Sequence, residues 1–313
     1  MRALVTGGAG FIGSNLVDAL LERGDDVVVL DNFASGRRER MDEFGDRIRL
    51  VEGDLRSYER VHAATKGVEV VFHQGALPSI PRSIQDPLTT NAVNVDGTLN
   101  VLLAARDERV QRVVFASSSS IYGDGPGLPR VETQVPAPMA PYAVAKLAAE
   151  SYCRAFWRVY SLETVSLRYF NVFGPRQDPT SQYAAVVPRF ISRILDGEPP
   201  LIYGDGEQRR DFTYVGDVVQ ANLRAAEANG VAGESFNIAS GTSRSVNELA
   251  RLVAQTLDRE IEPVHVDPRP GEIRDSAADI GKPARLLGYT PEAGFEDALR
   301  STAEFFQAFV RAS

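Results

Sequence analysis

Leu4–Gly24 reads LVTGGAGFIGSNLVDALLERG. A short apolar run gives way to Gly7, Gly10 and Gly13, and an apolar stripe at Phe11, Leu16, Leu20 and Leu21 begins among the glycines. The pattern predicts a strand that turns on glycine into a helix. Glycines in that slot permit a tight turn, close approach of the backbone to a pyrophosphate, and tight helix packing. The helix N-terminus adds N–H groups and positive potential. Alone, such a glycine pattern is a weak signal, and its context decides the reading.

That context is an alternation. Short β-rich runs, ALVTG, DVVVLD, IRLVEGD, VEVVFHQ, RVVFASS and TVSLRYF, each precede a helical stretch or a loop. The order predicts βαβ units around a parallel sheet, and runs this continuously apolar suit a sheet covered on both faces. The fold class expected is α/β, a Rossmann-type doubly wound parallel sheet with a smaller C-terminal α/β substrate-binding region. Residues 1–171 form the dinucleotide-binding body, with 213–241 returning to it. Residues 172–212 and 242–313 form the smaller region, and the cleft between the two is the natural ligand site. The second run ends at Asp31, 18 residues after Gly13. A carboxylate there accepts both ribose hydroxyls of an adenosine and repels a 2′-phosphate, which favours NAD over NADP. Arg37 and Arg38 nearby are the features that speak for NADP. Asp54, after the third run, is a candidate for the adenine amino group, with a turn or helix-cap aspartate as the alternative.

The chain has 313 residues, 43% hydrophobic and 24% charged, with a net charge of −8. It belongs with globular chains able to bury a large core. Its opening lacks the long apolar segment of a secretory signal, and no run approaches the ~18 residues of a membrane span. The expected address is the cytoplasm, with no membrane and no nucleic-acid partner, since the 34 cationic residues are dispersed. One cysteine, Cys153, and three scattered histidines, His62, His73 and His265, carry no metal-ligand spacing, so no metal is expected.

The chemistry is expected in SSSSIYGDGPGLPRVETQVPAPMAPYAVAKLAAE, Ser117–Glu150. Tyr142 and Lys146 lie four residues apart on one helix face, and Pro141 suits the helix start. A free phenol, with a pKa of about 10, is a poor base at neutral pH; a neighbouring ammonium and a positive nicotinamide both favour its phenolate. Serines 117–120 follow the fifth strand, at the carboxyl edge where such sheets bind ligands, and a hydroxyl there can share a moving proton.

With TGGAGFIG, SSSSIYG, PYAVAK, RYFNVFGPRQDP, YGDGEQRRDF and PRPGEIRDS in this order, the chain resembles the extended short-chain dehydrogenase/reductases along nearly its whole length. Within them it is most similar to the UDP-hexose 4-epimerases. The resemblance implies Ser118, Tyr142 and Lys146 as catalytic residues, with Lys146 binding ribose and lowering the tyrosine pKa, and tightly bound NAD as cofactor. It extends the cofactor contacts from Gly7, Gly10, Gly13, Asp31 and Asp54 to Phe11, Ile12, Asn32, Leu55, Asn94 and Tyr169. On the UDP-sugar side it implies Ser118 and Ser119, Asn171, the diphosphate arginines Arg210 and Arg269, and the pocket residues Gln177, Ala185 and Ser276.

Ser276 is the seventh residue beyond the arginine of RPGE, where the family carries a tyrosine for plain hexoses and a small residue for 2-acetamido sugars. This implies C4 epimerisation of UDP-GlcNAc/UDP-GalNAc, with UDP-Glc/UDP-Gal as further substrates, through a 4-keto intermediate. Ser119 and Ser120 stand where related dehydratases and decarboxylases carry an extra carboxylate. A UDP-glucuronate 4-epimerase is the alternative within the class, with Arg82 facing the carboxylate, although an acidic Asp178 would repel that group. A non-catalytic NAD-binding regulatory protein is the alternative outside it. The family also implies a homodimer through helices near 91–106 and 142–160.

Overall fold

The computed structural model describes residues 1–178, 185–268 and 274–312. Six strands, β1 (Arg2–Thr6), β2 (Asp26–Asp31), β3 (Ile48–Glu52), β4 (Val70–His73), β5 (Arg112–Ser118) and β6 (Glu163–Tyr169), fall on the six apolar runs. A seventh, Ser235–Ile238, pairs with β6, and the sheet order from that edge is β6, β5, β4, β1, β2, β3, all parallel. This is the doubly wound sheet expected. Period-2 alternation splits the strands between two cores. Ala3, Val5, Val27, Val29 and Phe72 pack with Leu16, Val17 and Leu20 of the first helix and with Val218 and Ala221 on one face. Leu4, Val28, Val71 and Phe115 pack with Val101, Leu102, Ala149 and Cys153 on the other. Each fully buried Val, Leu or Phe contributes roughly 1.5–3 kcal/mol, so the two cores hold the sheet rigid.

A third cluster is centred on Phe190, Ile191, Leu249, Val253 and Phe306. Short two-stranded ladders accompany it: Val172–Phe173 with Thr213–Tyr214, Arg209–Asp211 with Ser243–Ser245, and Leu201–Tyr203 with Val264–Val266.

The Pro141–Tyr160 helix lies against β5 and β6, and one buried ion pair fixes its register. Glu150 accepts from Arg168 Nη2 at 2.6 Å and Nε at 3.1 Å, from Ser117 Oγ at 2.7 Å and from Ser235 Oγ at 2.9 Å. Arg168 also donates to Tyr122 Oη at 2.7 Å, and Tyr122 donates to Asn237 Oδ1 at 2.6 Å. The helix, β5, β6 and the Ser235–Ile238 strand are thereby tied through one fully satisfied polar cluster. Burial would raise the Glu150 carboxyl, but Arg168 and the two serine hydroxyls outweigh it and hold the pKa below the ordinary value of 4.5.

Glu150→Gln leaves a buried guanidinium without its counter-charge, and the expected cost in urea unfolding at pH 7 is about 3–5 kcal/mol. Because the folded-state pKa is depressed, this contribution is present above the unfolded carboxylate value and lost as pH falls through the folded one. The gap between wild type and variant should therefore narrow once the pH is taken below 4.5. A gap independent of pH would show that the charge is not its source.

Candidate active site

Strand order reverses between β1 and β4, and a cleft of ≈ 670 Å³ opens at their carboxyl ends. Gly7, Gly10, Phe11, Ile12 and Gly13 form one wall. Gly7 has φ +69°, and a Cβ there would lie 2.6 Å from Gly75 Cα; a Cβ on Gly13 would lie 2.1 Å from the Gly7 carbonyl oxygen. Only glycine fits either place. The result is a concave wall capped by the first N–H groups of the helix that begins at Phe11, the geometry that takes a pyrophosphate.

Asp31 ends β2 in the same cleft, 8% exposed. Its oxygens accept from the Ala9 and Phe33 N–H groups at 2.9 and 2.8 Å, and each retains a lone pair for a ribose hydroxyl. Burial raises its pKa against the pull of those N–H groups. Arg37 pairs with Asp178 at 3.1 Å and Arg38 with Glu52 at 2.6 Å, so both arginines near Asp31 are engaged by carboxylates. These residues fit NAD rather than its 2′-phosphate.

Asp54 and Leu55 line the cleft, but the Asp54 carboxylate is held bidentately by Arg56, at 2.9 and 2.8 Å, and by Asn32 Nδ2 at 2.9 Å. Arg56 is the main reason its pKa falls to about 2. It is a turn aspartate with cleft exposure, and Ser57, not Asp54, caps the following helix. Asn94 is buried behind the wall, where its amide exchanges two hydrogen bonds with the Leu77 backbone, at 2.8 and 3.1 Å. It shapes the cleft through Leu77, which itself lines it.

At the other end stand Tyr142, Lys146 and Tyr169. Lys146 Nζ donates to the Ala116 carbonyl of β5 at 2.7 Å, and burial lowers its pKa to about 8. Tyr142 is hydrogen-bonded to Ser118, yet burial raises its pKa and the Ser118 bond only partly opposes that. In the protein by itself the phenol is thus driven up because desolvation outweighs the Ser118 bond; the lowering expected from the sequence included the charge of a bound nicotinamide. Tyr169 Oη sits among Gln74 Oε1 at 3.2 Å and the Asn222 amide at 2.8 Å. Burial likewise pushes its phenol well up, which keeps it neutral and makes it a positioning ring.

Among the described residues, those expected on the sugar side lie outside the walls of this cleft. Ser118 accepts from the Ser120 N–H and hydroxyl, and Ser119 begins the following helical turn. Asn171, with φ +29°, donates to the Asp211 carbonyl at 3.1 Å. Arg210 donates to the Arg274 carbonyl at 2.8 Å, and the Ser276 N–H to the Arg209 carbonyl at 3.0 Å. Asn171 and Ser276 thus bond to the two ends of the Arg209–Asp211 strand that carries Arg210. Gln177 donates to the Val172 carbonyl at 3.2 Å, and Ala185 starts the Val186–Leu195 helix. Arg269 lies outside the described residues. Asp178 lines the cleft but is neutralised by Arg37, so its repulsion of a sugar carboxylate is weaker than its charge alone suggests.

Sequence reasoning missed Arg40, a buried guanidinium lining the cleft that donates to the Ala9 carbonyl at 3.0 Å and to the Arg176 carbonyl. It also missed Gln74 and Asn222, whose amides meet at 2.9 Å around Tyr169. SGRRER offers no periodicity that marks one arginine as buried.

A sequence profile described as the NAD dependent epimerase/dehydratase family matches residues 3–239. A UDP-glucose 4-epimerase of Mycolicibacterium smegmatis is 39% identical, the match covering 98% of this chain and 99% of that protein. Among solved structures, a UDP-N-acetylglucosamine 4-epimerase from Methanobrevibacter ruminantium, in complex with UDP-N-acetylmuramic acid, superposes with a TM-score of 0.94 at 40% identity over 98% of each chain. A Thermus thermophilus UDP-glucose 4-epimerase in complex with NAD gives 0.89 at 39% identity, over 98% of this chain and 99% of that one. With a profile over most of the chain and relatives matched along nearly their whole length, the chain belongs to the NAD-dependent epimerase/dehydratase family.

Proposed function

We propose that this chain inverts C4 of UDP-hexoses, with UDP-GlcNAc and UDP-GalNAc as one pair and UDP-Glc and UDP-Gal as another. The observation that carries the reading is that one cleft joins the glycine wall and Asp31 to Tyr142 and Lys146. A bound NAD would supply a reversible hydride acceptor for C4 of the sugar. The chain's own residues handle the proton and the orientation. As the phenolate that the Lys146 ammonium and a bound, positive nicotinamide would favour, Tyr142 accepts the 4-hydroxyl proton and later returns it, with Ser118 sharing the hydrogen bond. Lys146, anchored on the Ala116 carbonyl, holds the ribose end and places positive charge one helical turn from the phenol.

Arg210, Arg269 and Asn171 grip the UDP diphosphate, for which a planar guanidinium is suited. A firm hold on UDP and a loose hold on the hexose let the 4-keto sugar turn about its bond to the diphosphate and present the opposite face. Ser276 leaves room for a 2-acetamido group beside the Arg209 backbone. Two copies would pair through the helices near 91–106 and 142–160, the second of which carries the exposed apolar side chains Val144 and Tyr152.

A coupled assay on UDP-GlcNAc, UDP-GalNAc, UDP-Glc and UDP-Glucuronate tests the reading, and turnover of the glucuronate alone would replace it with uronate epimerisation. Tyr142→Phe should keep NAD and fold while turnover falls roughly 10²- to 10⁴-fold. A variant retaining more than about a tenth of wild-type turnover would remove Tyr142 from the acid/base role.

Ser276→Tyr should abolish the acetylated pair selectively, because a phenol fills the acetamide volume in a packed wall. The quantity to measure is the ratio of kcat/KM for UDP-GlcNAc over UDP-Glc. A ratio unmoved by the substitution, or a wild type inert toward UDP-GlcNAc, would sink the sugar assignment and leave the epimerase reading standing.

A further inference from the structure

We infer that Ser83 is a positioning residue for the reaction: from a separate helix it supplies the N-terminal cap that fixes the backbone of Tyr142. The inference rests on Tyr142 being the acid/base proposed above.

The Pro141–Tyr160 helix begins without a cap of its own. Its N-cap residue is Ala140, which makes no side-chain hydrogen bond, and Pro141 has no N–H to satisfy. Tyr142 therefore carries the first N–H of the helix, one of the orphan donors that every helix start leaves. Its partner is the Ser83 hydroxyl at 3.1 Å, 59 residues away in sequence. Ser83 is fully buried, at 0% exposure. Its own proton goes to the Ile80 carbonyl at 2.7 Å, so the oxygen's lone pairs are left facing the Tyr142 N–H.

The segment that carries Ser83 is stiff. Ser79 caps the Ile80–Gln85 helix by accepting from the Arg82 N–H at 3.2 Å, the Ser83 N–H bonds to the Ser79 carbonyl at 3.0 Å, and a proline sits in the first turn. That helix packs directly on the Pro141–Tyr160 helix, and Pro78, Ser79 and Arg82 line the cleft. The cleft wall and the tyrosine are thus joined by one hydrogen bond. Tyr142 is held at both ends, its N–H by Ser83 and its phenol by Ser118. Without the Ser83 acceptor the first helical turn loses its anchor, and the phenol is free to swing away from the sugar's 4-hydroxyl. A misplacement of about 1 Å at a reacting group is enough to cost on the order of 10²-fold in rate.

The experiment compares NAD-loaded wild type with Ser83→Ala, Ser83→Cys and Ser57→Ala. Ser57 also caps a helix, accepting from the Arg60 N–H at 3.4 Å, in a helix that does not carry the tyrosine. Ser83→Ala should lower kcat roughly five- to fifty-fold with KM for the UDP-sugar within about twofold of wild type and NAD content unchanged. Ser83→Cys keeps the shape with a weaker acceptor and should give an intermediate kcat. Ser57→Ala should lose thermal stability and keep wild-type kcat.

Wild-type kcat in Ser83→Ala overturns the inference, and so does a loss shared equally by kcat, KM and NAD content. If Ser83→Ala cannot be recovered folded, Ser83→Cys decides the matter by the same split. A Tyr142→Phe enzyme that remains active defeats the acid/base reading itself. Inactive Tyr142→Phe beside fully active Ser83→Ala defeats only this inference.

Discussion

The contact on which the active end of this protein depends is made between atoms of the backbone. At Gly13 the helix passes so close to the Gly7 carbonyl that no side chain fits, and at Gly7 the chain leaves β1 against the Gly75 backbone at the end of β4. Because β1 and β4 are the strands between which the sheet order reverses, this approach sets how wide the cleft opens and where the first N–H groups of the helix point. Any Cβ inserted there would move the helix, the β4 loop, or both. The cofactor wall is a consequence of packing density, and the packing density is a consequence of three missing side chains.

The second determinant is a stripe of side chains on the Pro141–Tyr160 helix. Tyr142, Lys146 and Glu150 recur every four residues and so point the same way, toward β5. Each finds a different partner there: the Ser118 hydroxyl, the Ala116 carbonyl and the Ser117 hydroxyl. Glu150 forms an ion pair with Arg168, and Tyr142 and Lys146 face the cleft. A buried charge that is fully hydrogen-bonded tolerates little movement, so the helix inherits its angular setting from Glu150 and passes it up to the tyrosine. Burial also raises the tyrosine and depresses the lysine, which makes the protonation state of the pair sensitive to whatever charge enters the cleft.

Much of this was legible in the sequence where the signal is local. Six strands could be read from apolar runs, and Gly7, Gly13, Asp31, Tyr142 and Lys146 from short spacings whose geometry is set by one turn or one strand. The Ser235–Ile238 strand carries no such run, because Ser235 and Asn237 are spent on the polar cluster around Glu150 and Tyr122. Arg40, Gln74 and Ser83 were not legible for a related reason. Each looks like any polar residue on a surface, and its role comes from an element that folding brings opposite it. The residues expected on the sugar side are harder again, since Asn171, Arg210 and Ser276 sit on loops and two- or three-residue ladders with no periodicity, and only the resemblance to a family singled them out.

The cofactor wall and the loop that follows β6 are stitched together by three side chains. Asn15 donates to the carbonyls of Phe11 and Pro175, at 2.9 and 3.0 Å. Arg176 donates to the Ser14 carbonyl at 3.1 Å and pairs with Asp18 at 3.0 Å, and Arg40 bridges Ala9 to Arg176. Gln177 and Asp178 follow immediately, so the frame that carries them is the glycine turn itself. Residues sharing partners in this way do not contribute independently. Substitutions at 177 or 178 are therefore epistatic with changes in the dinucleotide loop. A graft of either segment from a relative carries its meaning only if the other travels with it.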